Sequence, residues 1–215
     1  MKFSEIQTSF ENMRFNKRCN RKSTPLLGLF LTLLLMFSCH FQPTQEPENS
    51  LYSMAPCDPN TKHFPANENK KPKVITALKM NRDTLESLVV VPDGTYWKEM
   101  VSNMNYFDEI MTGEEFQQNI IKKGLADKIQ STSSIGLNKA YRFYRPFTIL
   151  NVQKGKTKSG EEAANTYSMT LYDPKNAVVV FRSTISYNYW TDSVSAKNIM
   201  FPLFNTLIDY LNEQK

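Results

Sequence analysis

Histidine is almost missing from this chain of 215 residues, which contains only His40 and His63, both in its N-terminal third. A histidine base paired with a serine or cysteine nucleophile is therefore excluded from the rest of the chain. A zinc site of the usual histidine and cysteine kind is excluded there for the same reason. Glycine is scarce too, and no glycine-rich loop of the kind that cradles phosphates is found. The sequence thus predicts no cofactor.

Long apolar runs are also missing. The run at residues 26–37 has twelve residues, whereas a membrane-spanning helix needs about 20. Six basic and two acidic side chains precede it, and Ser38 follows it. A positive flank, a short apolar stretch and a small residue are typical of a secretory signal peptide. We therefore predict an export signal at residues 1–38, whose true start is Met1 or Met13.

The end of this signal, Leu35-Met36-Phe37-Ser38-Cys39, resembles the lipobox of bacterial lipoproteins, in which a small residue precedes an invariant cysteine. It departs from that family's pattern at Met36 and Phe37, where Leu or Val and a small residue are commoner. The resemblance implies cleavage between Ser38 and Cys39 and a diacylglyceryl group on the Cys39 thiol. The alternatives are an ordinary signal peptide or an uncut anchor, with no role for Cys39.

A lipid on Cys39 makes the membrane a partner of the protein. Each buried methylene contributes about 0.8 kcal/mol, so two or more acyl chains give stable anchoring. The residue after the cysteine influences sorting in this family, and His40 in place of aspartate implies the outer membrane if the host has one. The resemblance therefore predicts a membrane-anchored lipoprotein of the cell envelope.

The positive charge of the chain lies mostly in its predicted signal. The whole sequence has a net charge of +5, and residues 1–38 contribute +4 from six basic and two acidic side chains, which leaves +1. The pI near 9.0 is therefore no indication of nucleic-acid binding. Cys19 lies in the signal and Cys39 would carry lipid, so Cys57 is the one remaining thiol and no intrachain disulfide can form.

Proline marks a change in composition after the signal. Six of the eleven prolines fall within residues 39–72, where Asn, Glu, Gln, Thr and Lys fill most other positions. A segment of this kind buries too little apolar surface to order itself. We predict a flexible tether over residues 39–72 and a globular domain over residues 73–215. The alternative is that Leu51, Tyr52 and Met54 pack on the domain.

The domain mixes strand and helix patterns. Short runs rich in β-branched and aromatic residues predict strands, and apolar residues at helical spacing predict helices. Thr112 followed by Glu115 fits a capping box, and Pro202 fits the first turn of a last helix that begins near Met200. Strands are predicted at residues 88–91, 106–111, 147–152, 167–172 and 177–187, and helices at 96–104, 113–123, 137–144 and from 200 onward. This order predicts an α+β fold with a single mixed sheet, packed helices and a C-terminal amphipathic helix.

Two groups of aromatic side chains are candidates for a binding face, one of them interleaved with arginine. Rings beside guanidinium groups can stack on sugars or lie in protein interfaces. The competing explanation is that these rings pack inside the fold, as most aromatic residues do. The candidate residues are Tyr141, Arg142, Tyr144, Arg145, Tyr189 and Trp190.

Four carboxylates offer an alternative chemistry. Asp108, Glu109, Glu114 and Glu115 lie close in sequence, and a glycosidase needs two carboxyl groups about 5 to 10 Å apart across a groove. Such a site requires that they converge in a cleft and that one of them has a raised pKa. Helix capping is the competing explanation of Glu114 and Glu115.

The order of elements from residue 85 onward resembles that of small periplasmic α/β accessory domains, in architecture only. Together with the lipobox and the missing catalytic set, it predicts a non-enzymatic envelope lipoprotein. Such a protein would be a binding or assembly module with a protein or glycan partner in the envelope, and without a nucleic-acid partner. The alternatives are a carboxylate-dependent hydrolase that acts on an envelope polymer, and a surface interaction protein.

Overall fold

A computed structural model describes residues 50–80, 85–129, 133–156, 165–188 and 192–214 of the chain. Six strands and four helices lie within these residues. In chain order they are β1 (Lys73–Ala77), β2 (Ser87–Val91), α1 (Thr95–Met104), β3 (Glu109–Thr112), α2 (Gly113–Lys122), α3 (Ser134–Phe143), β4 (Thr148–Lys156), β5 (Asn165–Asp173), β6 (Val178–Tyr187) and α4 (Met200–Glu213). None of these helices is long and apolar enough to cross a membrane.

The six strands form one mixed sheet in the order β1-β6-β5-β4-β2-β3. The strand β2 pairs in parallel with both β3 and β4. The strands β4, β5, β6 and β1 pair in antiparallel fashion. The sheet therefore has a parallel half, joined by helices, and an antiparallel half built on the β5–β6 hairpin. The predicted α+β fold with a single mixed sheet is confirmed.

The strand β2 is buried on both sides, because helices cover both faces of the parallel half. Leu88 and Val90 pack toward α1 and α4, whereas Val89 and Val91 pack toward α2 and α3. All four side chains are at most 1% exposed. This explains why the sequence shows a continuous apolar run here rather than an alternation of apolar and polar residues.

The face that carries α1 and α4 holds the larger of the two cores. The C-terminal helix α4 begins at Met200, and Pro202 lies in its first turn, as predicted from the sequence. A proline is tolerated there because its missing N–H would have no helical acceptor. The core-facing side chains of α4 are at most 3% exposed: Met200, Phe201, Leu203, Phe204, Leu207, Ile208, Tyr210 and Leu211.

The opposite face carries the smaller core, under α2 and α3. The predicted capping box begins α2: the Glu115 N–H donates to Thr112 Oγ1 at 3.1 Å, and the Thr112 N–H donates to the Glu115 carboxylate at 2.8 Å. The chain leaves this helix through Gly124, at a φ of 65° that favours glycine. Phe116 and Phe147 are in contact beneath the helices, with ring centroids 4.7 Å apart.

Two strand predictions were wrong in detail. The strand predicted at residues 106–111 begins only at Glu109, because the N–H groups of Asp108 and Glu109 both donate to the Glu86 carbonyl in a connecting loop. The edge strand β1 was not predicted as a strand. Its side chains Val74 and Ile75 are 46% and 54% exposed. The strand β1 therefore lacks the alternation of buried and exposed residues that is typical of a strand with one face on the core.

The predicted tether is wrong over residues 50–72, which we call the N-terminal strap. Phe64 is 2% exposed in the larger core, where its ring lies 5.5 Å from that of Phe201 and 5.7 Å from that of Phe204. The Phe64 N–H donates to Asn205 Oδ1 at 2.8 Å, and Asn205 Nδ2 donates to the Phe64 carbonyl at 2.9 Å. One deeply buried ring and a two-point backbone contact therefore hold the strap to α4.

The first residues of the strap are also part of the domain. The Ala196 N–H donates to the Ser50 carbonyl at 3.0 Å, and the Tyr52 ring lies 5.2 Å from that of Tyr96. Leu51 is half-buried against the larger core. Leu51 and Tyr52 thus contact the domain, whereas Met54, the third residue of that alternative, is 40% exposed. Cys39 and the rest of the predicted tether, up to residue 49, lie outside the described residues.

Candidate binding surface

The structure brings together four of the six residues predicted for a binding face. Tyr141 and Arg142 lie in the last turn of α3, and Tyr144 and Arg145 follow it directly. Tyr189 and Trp190 lie outside the described residues, as do Ser38 and Cys39. The described part of the predicted face therefore lies at the end of α3.

The two tyrosines of this group anchor the end of α3 on the smaller core. The Tyr144 ring meets the Phe116 ring edge-on at 5.7 Å, and its hydroxyl donates to Met111 Sδ at 3.9 Å. The Tyr141 ring lies 6.4 Å from that of Phe147. Both tyrosines are half-buried. Packing on the smaller core thus accounts for part of the surface of each ring.

Basic side chains lie over two of the rings at the end of α3, those of Tyr144 and Phe143. Lys123 Nζ lies 4.9 Å from the centre of the Tyr144 ring, and Arg145 Cζ lies 5.6 Å from it. Lys128 Nζ lies 5.6 Å from the centre of the Phe143 ring. A cation over a ring face is attracted by the negative potential of the π system. The ends of α2 and α3 and the segment between them therefore form one continuous surface of rings and cations.

Large apolar side chains are exposed on the same helices. Ile121, at the end of α2, is 64% exposed, and Phe143, at the end of α3, is 54% exposed. Ile135, on the outer side of α3, is 70% exposed. We call this region the basic aromatic surface. Its members are Ile121, Lys122, Lys123, Lys128, Ile135, Lys139, Arg142, Phe143, Tyr144 and Arg145.

Charge is strongly segregated onto this part of the chain. Residues 121–145 contain six basic side chains and one acidic side chain, Asp127, a net charge of +5. The chain beyond residue 38 has a net charge of +1, so its remaining residues carry −4. Arg145 forms an ion pair with Glu109. Within the described residues, none of the other five basic side chains has a carboxylate within ion-pair distance.

A second aromatic group lies elsewhere in the molecule. The rings of Tyr167 and Tyr187 stack 5.8 Å apart where β5 begins and β6 ends. Burial, together with the neighbouring hydroxyls of Tyr52 and Tyr187, raises the pKa of Tyr167. Tyr187 belongs to the larger core, on the face of the sheet opposite to Tyr144. The structure thus separates Tyr187 from the end of α3.

The four carboxylates proposed for hydrolysis have separate partners instead of a shared cleft. Glu115 accepts hydrogen bonds from Lys98 Nζ at 2.7 and 2.8 Å. Those bonds, with the one from the Thr112 N–H, lower its pKa rather than raise it. Glu109 pairs with Arg145, and both Asp108 and Glu114 are exposed. The expectation of a raised carboxyl pKa is therefore wrong for Glu115, and Glu109 and Glu115 are each paired with a different cation.

Asp93 completes the explanation of the α2 N-terminus. Its Oδ1 accepts from the Gly113 N–H at 2.6 Å and from the Glu114 N–H at 3.3 Å. Asp93 and Thr112 thus satisfy the free amides at the start of α2 and leave no open anion site there. Among the described residues, no three His, Cys, Asp or Glu side chains are grouped so that they could hold a metal ion.

Comparison with known proteins finds no family model and no curated protein that matches the sequence. Among solved structures, the PelC dodecamer from Paraburkholderia phytofirmans matches with 13% identity and a TM-score of 0.30, over 64% of this chain and 96% of that chain. Lipoprotein GNA1162 from Neisseria meningitidis matches with 15% identity and a TM-score of 0.29, over 60% of this chain and 96% of that chain. Likeness at this level assigns no function.

The lysines of the basic aromatic surface were missed in the sequence. Lys123 and Lys128 lie 22 and 17 residues before Arg145, so no local pattern joins them to the aromatic run. A count of charge by segment shows the excess at residues 121–145 without a structure. The contact of Lys123 with the Tyr144 ring follows only from the packing of α2 beside α3.

Proposed function

We propose that the protein is a lipid-anchored cell-envelope protein that acts as a non-enzymatic binding or assembly module. The observation that carries this proposal is the lipobox-like sequence ending at Ser38 and Cys39, after a positive leader and a short apolar run. In this account the signal is removed, the Cys39 thiol carries a diacylglyceryl group, and the described domain is held at a membrane surface. His40 after the lipidated cysteine favours the outer membrane in a host that has one.

The strap limits how far the domain can lie from that membrane. Because the domain already begins at Ser50, only residues 39–49 are available as a spacer. Eleven residues span at most about 40 Å when fully extended. In this account the first described residue therefore lies within about 40 Å of the leaflet that holds the lipid.

The module itself is proposed to act by binding, through the basic aromatic surface. Lys122, Lys123 and Arg142 are exposed and have no ion-pair partner among the described residues. Phe143 and Ile121 add exposed apolar area beside them. Apolar and aromatic side chains next to arginine are typical of the centres of protein interfaces.

Membrane attachment is tested with two cysteine variants of the full-length chain. We expect the wild-type protein to stay with membranes through washes in high salt and alkaline carbonate, and to be released only by detergent. The variant Cys39→Ala should lose this attachment or keep residues 1–38, because the acceptor of the lipid is gone. The matched control Cys57→Ala should remain attached. A processed Cys39→Ala chain that still resists the washes would contradict the proposal.

A further inference from the structure

We infer that the basic aromatic surface binds an acidic protein partner. The inference rests on the proposed function for its binding role, but the chemistry of the surface stands on the structure itself. The surface combines three exposed apolar residues, Ile121, Ile135 and Phe143, with a local net charge of +5.

The exposed side of α3 is built as a continuous stripe. Ile135, Lys139 and Phe143 follow each other at four-residue spacing, so they lie on one side of the helix, opposite the buried residues Leu137 and Ala140. Phe143 meets Lys128 at the end of this stripe. An apolar side chain at each end and a cation between them present both kinds of contact to a partner.

The unneutralised charge decides the sign of the partner. Five of the six basic side chains in residues 121–145 lack an ion pair among the described residues, whereas the rest of the chain beyond residue 38 carries −4. A surface of one sign attracts and orients a partner of the opposite sign. The partner is therefore acidic where it touches α2 and α3.

The composition of the surface favours a protein partner over a polysaccharide. Ile121 and Ile135 offer a sugar neither a flat ring nor a hydrogen bond, but they fit the apolar centre of a protein interface.

Photocrosslinking in cells tests the inference on the full-length chain. A photoreactive amino acid replaces Phe143, which is 54% exposed, or replaces the exposed Lys197, whose carbonyl accepts from the Asn67 N–H of the strap, as a control position. The Phe143 position should give a protease-sensitive adduct whose partner is acidic on two-dimensional gels. Adducts to lipid or glycan alone, no adduct, or the same adduct from Lys197 would overturn the inference.

Charge reversal supplies the second arm. The triple variant Lys122→Glu, Lys123→Glu and Arg142→Glu should reduce the adduct about tenfold or more, because complementary charge becomes repulsion. The matched triple variant Lys73→Glu, Lys79→Glu and Lys197→Glu changes the same charge at exposed positions away from α2 and α3 and should leave the adduct unchanged. Equal loss in both triples, with unchanged melting temperatures, would show non-specific attraction and overturn the inference.

Two further readings separate this inference from the proposed function. Vesicles that contain phosphatidylglycerol should bind the wild type and the first triple variant equally through the lipid on Cys39. A weaker attachment of that variant would assign the surface to the bilayer and overturn the inference. If the proposed anchor is wrong, the protein is recovered in soluble form with an unmodified Cys39. A charge-dependent adduct at Phe143 would still support the acidic partner in that case.

Discussion

Replacement of Phe64 by alanine tests whether the strap belongs to the folded domain. Phe64 is 2% exposed and lies between the rings of Phe201 and Phe204. Truncation of a buried phenylalanine costs about 3 to 5 kcal/mol, because apolar burial is lost and a cavity remains. For a domain of this size each 1 kcal/mol lowers the melting temperature by about 2 to 4 °C, so we expect a fall of about 6 to 20 °C.

The assay is thermal and urea unfolding of a soluble form that begins at residue 40. Phe143→Ala is the matched control, because the same side chain is removed from a position that is 54% exposed. We expect that control to change the free energy of unfolding by no more than about 0.5 kcal/mol. If Phe64→Ala cost less than about 1 kcal/mol, the strap would be a dispensable tether and our account of the domain boundary would fail.

Three more perturbations test the contacts described above. Asn205→Ala should cost about 1 to 3 kcal/mol in urea unfolding, because the Phe64 N–H and carbonyl both lose their partner, whereas Asn205→Asp keeps the acceptor and should cost less. Glu115 has a pKa below its ordinary value of 4.5, so its stabilising effect is present above that pH and is lost as the pH falls through the lowered pKa. Glu115→Gln should therefore reduce stability by about 1 kcal/mol or less at pH 7 and by a smaller amount at pH 2. Burial, and then the charge of Asp173, raise the pKa of Tyr210 to about 12, so stability should fall as the pH rises from 10 to 12, and Tyr210→Phe should flatten that slope in pH-dependent unfolding. A slope that Tyr210→Phe leaves unchanged, or a Glu115→Gln effect that is the same at pH 2 and 7, would refute the assigned contacts.

The elements predicted well from sequence are those defined by local chemistry. The apolar stripe of α4 and the proline in its first turn, Pro202, are both visible in one short stretch of sequence. The β5–β6 turn is likewise local, since Asp173 accepts from the Lys175 N–H at 2.8 Å and from Asn176 Nδ2 at 2.7 Å. Such signals need no knowledge of the rest of the chain.

The predicted tether was wrong over the strap because the contacts that stabilise the strap are not local in sequence. Phe64 is a single large apolar residue among prolines and polar residues, and its backbone partner Asn205 is 141 positions away. The overall composition of such a segment does not reveal that one of its side chains is deeply buried. The long distance in sequence between the partners explains why a proline-rich stretch was interpreted as a tether.

The candidate surface was found in part for a similar reason. Tyr141, Arg142, Tyr144 and Arg145 are neighbours in sequence, and their alternation of ring and cation is visible directly. Lys123 joins them only because α2 packs beside α3 on the smaller core. The sequence thus contains the chemistry of the site, whereas its extent depends on the tertiary structure.

The mass of the mature N-terminal peptide, taken from the membrane fraction of cells that make the full-length chain, tests the lipid anchor most directly. We expect a peptide that begins at Cys39 and carries the added mass of a diacylglyceryl group on its sulfur. A peptide that still contains residues 1–38, or an unmodified Cys39 at the N-terminus of a soluble chain, would contradict the account.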